Sequence, residues 1–125
     1  MFDKLLLIEK LTQIDDALNR IERRFSSIKT VDHFLDSEQG LDMLDSIAMM
    51  LIAVGENFKK IDKDTDGKLL VRCPNINWSG VKGIRDVLSH QYFNIDAEEI
   101  FRICSRDLPD LHNAVKDMTQ HLNDE

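Results

Sequence analysis

The stretch LDMLDSIAMMLIAVGENFKKI, residues 41–61, contains the longest apolar run of the chain, and it decides the fold class. Apolar residues recur in it at intervals of three and four, the period of an α-helix. They are Leu41, Leu44, Ile47, Ala48, Leu51, Ile52, Val54, Phe58 and Ile61. Because the middle of this segment is apolar nearly all round, a helix over about 37–62, capped by Asp36 or Ser37, is predicted to be central and most buried.

The same helical period extends over most of the chain, so the sequence predicts an all-α bundle of four or five helices. One helix is predicted over 3–29, where the apolar positions are Leu7, Leu11, Ile14, Leu18, Ile21, Phe25 and Ile28. The others are one from Trp78 or Ser79 to about Tyr92, one capped by Asp96, and one with Pro109 in its first turn that ends near His121. At 125 residues the chain is predicted to form a single domain, 1–125.

Composition and charge restrict the classes of function. The formal net charge of −7 argues against a broad surface for polyanions, although a small basic cleft remains possible. The apolar run is too short to span a bilayer, and the first residues do not resemble a signal peptide. We therefore expect a cytoplasmic protein in which both cysteines, Cys73 and Cys104, are reduced.

The segment DKDTDGKL, 62–69, imitates the start of a calcium-binding EF-hand loop. Asp62, Asp64, Asp66 and Gly67 match loop positions 1, 3, 5 and 6. Position 12, which should be a bidentate glutamate, is Cys73. The segment is therefore interpreted as an acidic helix end followed by a turn.

Other sequence features give no sign of a cofactor or metal. His33, His112 and His121 lack a spacing that suits a shared metal ion. The sequence has no glycine-rich phosphate loop and no serine-nucleophile motif. Four methionines are predicted to fill the core: Met43, Met49, Met50 and Met118.

The segment IRDVLSHQY, 84–92, gathers polar groups that an ordinary packed helix does not need. Asp86 and His90 are one helical turn apart, so the carboxylate can orient the imidazole and raise its basicity. Arg85 can hold a phosphate, and Tyr92 is in phase with it. This set suits acid–base chemistry at a phosphodiester, although the same residues also fit a solvated helix face.

The segment INWSGVKGIRDVLSHQYFNID, 76–96, resembles the signature of the HepT-like toxins of the HEPN superfamily. Their motif is arginine, four residues, histidine, any residue and tyrosine, matched here by Arg85, His90 and Tyr92 with Asp86 as the usual polar residue. Trp78 matches the family's tryptophan, but Asn77 stands where proline is common. The stretches VGENFKKI, 54–61, and HFLDSEQGLDMLDSI, 33–47, are also similar to family segments, so the resemblance covers most of the chain.

The resemblance implies a metal-independent ribonuclease toxin that acts as a homodimer on an RNA substrate. Its catalytic residues would be Arg85 and His90, with Asp86 orienting the histidine. The implied partner is an antitoxin, a small nucleotidyltransferase of the MNT family, which transfers AMP from ATP onto Tyr92. On a regular helix Arg85 and His90 are about 140° apart, so two subunits, or fraying near His90, would bring such groups together.

Two other functions stay open from the sequence. The chain could be a non-catalytic helical partner that binds and regulates a nucleotidyltransferase. It could also be a plain helical interaction module, in which 85–92 is a solvated face. The presence of both Arg85 and His90 favours the nuclease over a scaffold, because a scaffold needs neither.

Overall fold

The computed structural model describes residues 3–89 and 95–125, and all regular secondary structure in these ranges is helical. The elements are α1 (Lys4–Phe25), α2 (Asp32–Leu35), α3 (Glu38–Asp64), a 3₁₀ turn (Leu70–Arg72), α4 (Trp78–Lys82), α5 (Ile84–Ser89), α6 (Ala97–Arg102), a π-helical turn (Ile103–Asp107) and α7 (Leu108–Asn123). The predicted all-α class is confirmed. Among the helices of the described residues, none combines the length and apolar character needed to cross a membrane.

The central helix is α3, as the apolar run predicts. It packs against α1, α2, α4, α5 and α6. Ser37 starts it, because the side-chain oxygen accepts a hydrogen bond from the Gly40 amide at 3.0 Å and satisfies one amide of the first turn. The apolar side chains that α3 buries are Leu44, Ile47, Ala48, Leu51, Val54, Phe58 and Ile61.

Burial of α3 is less complete than the sequence predicts. Met49, predicted to lie in the core, is 72% exposed, and Leu41 is 42% exposed. Met49 is two residues from the buried Leu51, and this spacing puts the two side chains on opposite sides of a helix. The apolar run therefore has one outward face. Of the other methionines, Met118 is fully buried, and Met43 and Met50 are partly buried against the core.

Helices α1 and α7 pack against each other, and α1 also packs against α3. The side chains that α1 buries are Leu7, Leu11, Ile14, Leu18 and Ile21, as predicted. The helix ends at Phe25, earlier than the predicted 3–29. The Ser26 hydroxyl donates to the Arg23 carbonyl at 2.6 Å, a local hydrogen bond that competes with continuation of the helix.

Helices α6 and α7 follow one another through the π-helical turn, where the sequence predicts two separate helices. The predicted cap of α6 is confirmed, because the Asp96 side chain accepts from the Glu99 amide at 3.1 Å. The Leu108 amide donates to the carbonyl five residues back, at Ile103. Pro109 has no amide hydrogen to donate, and the wider turn before it allows the helix to continue without a break.

The predicted helix from Trp78 to Tyr92 is divided. Asn77 caps α4, since its side-chain oxygen accepts from the Gly80 amide at 3.2 Å. At Gly83 a backbone hydrogen bond spans three residues instead of the four of an α-helix. The Asp86 amide donates to the Gly83 carbonyl at 3.0 Å. Glycine loses the most backbone freedom in a helix, which explains why the interruption occurs there. The predicted end near Tyr92 lies outside the described residues.

Candidate functional site

The Arg85 side chain lies on the exposed side of α5 and reaches towards α3. Its Nη1 atom is 3.4 Å from Oε1 of Glu56. The arginine side chain is 63% exposed and the glutamate 30%, so solvent reaches this ion pair. A guanidinium can donate two parallel hydrogen bonds to a phosphate, and this one is exposed enough for a phosphate to approach it.

Gly55 sets the distance between α3 and the α4–α5 segment. A Cβ atom at this position would lie 2.5 Å from the Val81 carbonyl oxygen and 2.7 Å from Cγ2 of Ile84. The first of these atoms belongs to the backbone and cannot move without shifting α4. Only glycine allows this approach, which places α5 where Arg85 reaches Glu56.

Two further contacts hold α4 in place. Trp78 donates from its ring nitrogen to the Cys73 carbonyl at 3.0 Å, and its ring lies 4.9 Å from that of Phe58 on α3. Lys82 forms an ion pair with Asp62 on α3 at 2.6 Å. The first turn of α4 and its last residue are therefore both attached to neighbouring structure.

Of the remaining predicted site residues, Asp86 is the one that lies within the described residues. Asp86 is exposed on α5 and follows Arg85 directly. His90 and Tyr92 lie outside the described residues. The predicted pairing of Asp86 with His90, and the predicted phase between Arg85 and Tyr92, therefore stay predictions.

Comparison of the sequence with known proteins identifies its family. A family model described as "Ribonuclease HepT-like" matches residues 14–118. The chain belongs to the HepT-like ribonuclease family. It is 25% identical over 121 residues to a Methanocaldococcus jannaschii protein named "Putative RNase MJ0125", covering 97% of this chain and 94% of that protein.

A second relative from Methanocaldococcus jannaschii, named "Putative RNase MJ1216", is 27% identical over 108 residues. The match covers 86% of this HepT-like chain and 79% of that protein. No solved structure matches the chain significantly. The family and the names of these relatives support ribonuclease activity for this HepT-like protein.

Glu56 is the residue of this HepT-like site to which sequence reasoning assigned no role. Its signal was the Gly-Glu pair inside a long helix. Glycine within a helix is about 1 kcal/mol less favourable than alanine, so an interior glycine such as Gly55 often marks a close contact. The partner of the neighbouring Glu56 could not be inferred, because Arg85 is far away in sequence.

A separate cavity of about 410 Å³ lies on another face of α5. Ile84, Val87 and Leu88 line it from α5, and Glu99 and Arg102 line it from α6. Arg102 Nε donates to the Glu99 carboxylate at 3.1 Å, and this hydrogen bond lowers the pKa of that carboxyl group. The Arg102 charge is thus already compensated within the protein.

Two of the three aspartates of the 62–69 segment form ion pairs with lysines. Asp62 pairs with Lys82, and Asp64 pairs with Lys10 at 2.9 Å. Both aspartates belong to α3, and the chain then turns through Asp66 and Gly67, which have positive φ angles of 52° and 75°. The interpretation as an acidic helix end followed by a turn is confirmed. Residues 3–89 and 95–125 contain no group of three or more His, Cys, Asp or Glu side chains that could hold a metal ion.

Proposed function

We propose that this HepT-like protein is a metal-independent endoribonuclease toxin that acts in the cytoplasm as a homodimer. The observation that carries the proposal is the exposed Arg85 guanidinium, which the close contact of Gly55 with α4 and α5 holds near α3. The chain that contains it belongs to a ribonuclease family. In the proposed mechanism Arg85 and His90 act on the scissile phosphate, and Asp86 orients the His90 ring.

The proposed reaction needs no metal ion. His90 takes the proton from the ribose 2′-hydroxyl, whose oxygen then attacks the adjacent phosphorus. The new bond joins the 2′-oxygen to phosphorus, and the bond from phosphorus to the 5′-oxygen breaks. The departing 5′-oxygen receives a proton from solvent and His90 releases to solvent the one it took, so the products are a 2′,3′-cyclic phosphate and a 5′-hydroxyl. Arg85 stabilises the negative charge that develops on the phosphate oxygens.

Dimerisation would supply the geometry that one helix does not. On a regular helix, positions five apart are about 140° apart, so Arg85 and His90 of one subunit would not face a single target if the helix continued regularly. We infer that the active clefts lie between two subunits, each containing Arg85 from one copy and His90 from the other. The resemblance of 76–96 to the family signature supports this inference.

The proposed antitoxin is a small MNT-family nucleotidyltransferase that modifies Tyr92. In this reaction the tyrosine oxygen bonds to the α-phosphorus of ATP, and pyrophosphate leaves. The attached AMP carries negative charge and bulk. If the helix continued regularly, Tyr92 would be in phase with Arg85, and the AMP would then occupy the position of the RNA phosphate and block the cleft.

Cleavage of RNA by the purified protein tests the proposal. We expect activity in excess EDTA, products that end in a 2′,3′-cyclic phosphate, and no cleavage of DNA, which lacks the 2′-hydroxyl. Arg85→Ala and His90→Ala should each abolish cleavage without changing the circular dichroism spectrum. Activity that disappears in EDTA and returns with one divalent ion would refute the metal-independent mechanism.

The same assay tests the alternative, a non-catalytic partner of a nucleotidyltransferase. A wild-type chain that binds the nucleotidyltransferase and cleaves no RNA would favour that alternative. Incubation with the nucleotidyltransferase and ATP should add the mass of AMP to the wild-type protein and not to Tyr92→Phe. Sedimentation at micromolar concentration should show a dimer.

A further inference from the structure

One face of α3 next to Arg85 carries three lysines. Lys59, Lys60 and Lys63 are three, four and seven residues after Glu56, the spacing that places side chains on one side of a helix. We call these three residues the lysine face. All three are exposed. At 1.5 Å per residue, the face extends about 10 Å along the helix from the Glu56–Arg85 pair.

Three acidic residues of α3 near the lysine face form ion pairs with other cations. Glu56 pairs with Arg85, Asp62 with Lys82 and Asp64 with Lys10. Within residues 3–89 and 95–125, none of the ion pairs involves a residue of the lysine face. The lysine face is therefore a set of three adjacent cations with no ion pair among the described residues. Arg20, Arg23 and Arg24 of α1 form a similar set, but only the lysine face lies on the helix that meets Arg85.

One pair of charges within the lysine face is repulsive. Lys59 and Lys63 are four residues apart, and like charges at this spacing repel each other on a helix. An anion bound between them would remove this repulsion. Lysine suits such a role, because its flexible side chain carries a compact charge that contacts phosphate without reading the base.

We propose that the lysine face binds the phosphate backbone of the RNA substrate and guides it to Arg85. The proposal rests on the proposed ribonuclease function and adds a binding surface beyond the catalytic residues. Contacts to phosphates distant from the scissile bond are made equally in the ground state and the transition state. They therefore lower KM and leave kcat almost unchanged.

Binding to an RNA that cannot be cleaved tests the proposal independently of catalysis. The probe is a fluorescein-labelled single-stranded RNA with 2′-O-methyl groups, followed by fluorescence anisotropy over a range of salt concentrations. For K59Q/K60Q/K63Q we expect at least about tenfold weaker binding at low salt. The slope of log K against log salt should fall by about 2, since each lost phosphate contact contributes about 0.7.

Two matched variants separate local charge from net charge and from folding. R20Q/K29Q/K116Q removes the same number of exposed cations from other parts of the structure and should bind within about twofold of wild type. K59R/K60R/K63R keeps the charge and should restore binding and the salt slope. For K59Q/K60Q/K63Q the melting temperature should stay within about 3 °C of wild type, because all three side chains are exposed.

The outcomes distinguish this proposal from the proposed function. Wild-type binding and salt slope in K59Q/K60Q/K63Q, together with cleavage that depends on Arg85, would overturn the lysine face alone. Loss of binding in that variant, with a wild type that cleaves no RNA, would support the lysine face and refute the nuclease. A wild type that neither binds nor cleaves RNA would overturn both.

Discussion

The pair formed by α1 and α7 and the pair formed by α4 and α5 differ in length and in how they are held. Helices α1 and α7 have 22 and 16 residues, and they bury five and six side chains respectively. Helices α4 and α5 have five and six residues, and α4 buries none. The first pair is held by apolar area along its whole length, whereas α4 depends on a few local contacts with α3.

Polar contacts also differ between the two pairs in how much they contribute to holding the helices in place. His112 on α7 lies between Asp15 and Glu22 of α1, at 2.9 and 2.7 Å, above an extensive apolar interface. In the second pair, Lys82 and Arg85 provide two ion pairs to α3 beside the glycine contact. A change in the first pair should therefore alter the stability of the whole chain. A change in the second should mainly alter the position of Arg85.

The largest expected effect on stability is in α1. Leu18 is 0% exposed, and Leu18→Ala should lower the free energy of unfolding by about 2–5 kcal/mol, because it removes buried methyl groups and leaves a cavity. Urea denaturation measures this loss. The ribonuclease rate per folded molecule should stay within about twofold of wild type, since Leu18 does not position Arg85. Arg20→Ala, at an exposed position of the same helix, is the control and should change stability by less than about 0.5 kcal/mol.

Gly55→Ala tests the contact that positions α5. The added Cβ would push α4 and α5 away from α3, at about 1–3 kcal/mol of stability. Displacement of Arg85 by even 1 Å should reduce the ribonuclease rate by about 100-fold. Initial rates measured well below the melting temperature separate the two effects. Ala53→Ser, at an exposed neighbouring position on α3, should retain full activity, and a fully active Gly55→Ala would contradict the role given to this contact.

Glu56→Gln tests whether the glutamate positions Arg85. The pair is largely exposed, so its loss should change stability by less than about 1 kcal/mol. A less restrained guanidinium should lower kcat by about threefold to tenfold, with a smaller change in KM. The diagnostic measurement is a double-mutant cycle on the cleavage rate, in which Glu56→Gln should have a smaller effect in the charge-retaining Arg85→Lys background than in wild type. Independent effects would show that Glu56 acts in another way.

The smallest expected effect concerns Cys104 in the π-helical turn. Burial raises the pKa of its thiol from 9.0 to about 12. The stability contributed by the neutral thiol is fully present below pH 9 and is lost as the pH rises towards 12, because the unfolded chain ionises first. Between pH 8 and pH 10 this contribution should decrease by about 1 kcal/mol. Urea denaturation of wild type and Cys104→Ala over this pH range isolates the contribution of the thiol. Stabilities of the two proteins that change with pH in parallel would contradict the raised pKa of Cys104.

Some features that depend on near neighbours in the chain were predicted correctly. The all-α class follows from apolar spacing. The cap at Asp96, and the cap of α3 at one of its two candidates, Ser37, follow from side chains that bond to amides three residues ahead. The division at Gly83 and the π-helical turn before Pro109 were missed. In both places one residue changes the backbone hydrogen bonds without disturbing the apolar spacing, so periodicity does not detect them.

The sequence by itself determined the helical class, most of the buried faces and the family signature that contains Arg85 and Asp86, because these depend on residue type and short-range spacing. Only the tertiary structure decided that Gly55 lies against Val81, that Glu56 meets Arg85, and that the neighbouring lysines have no acidic partner among the described residues. These relations join positions far apart in the chain. They depend on how closely two helices approach, and no local pattern encodes that distance.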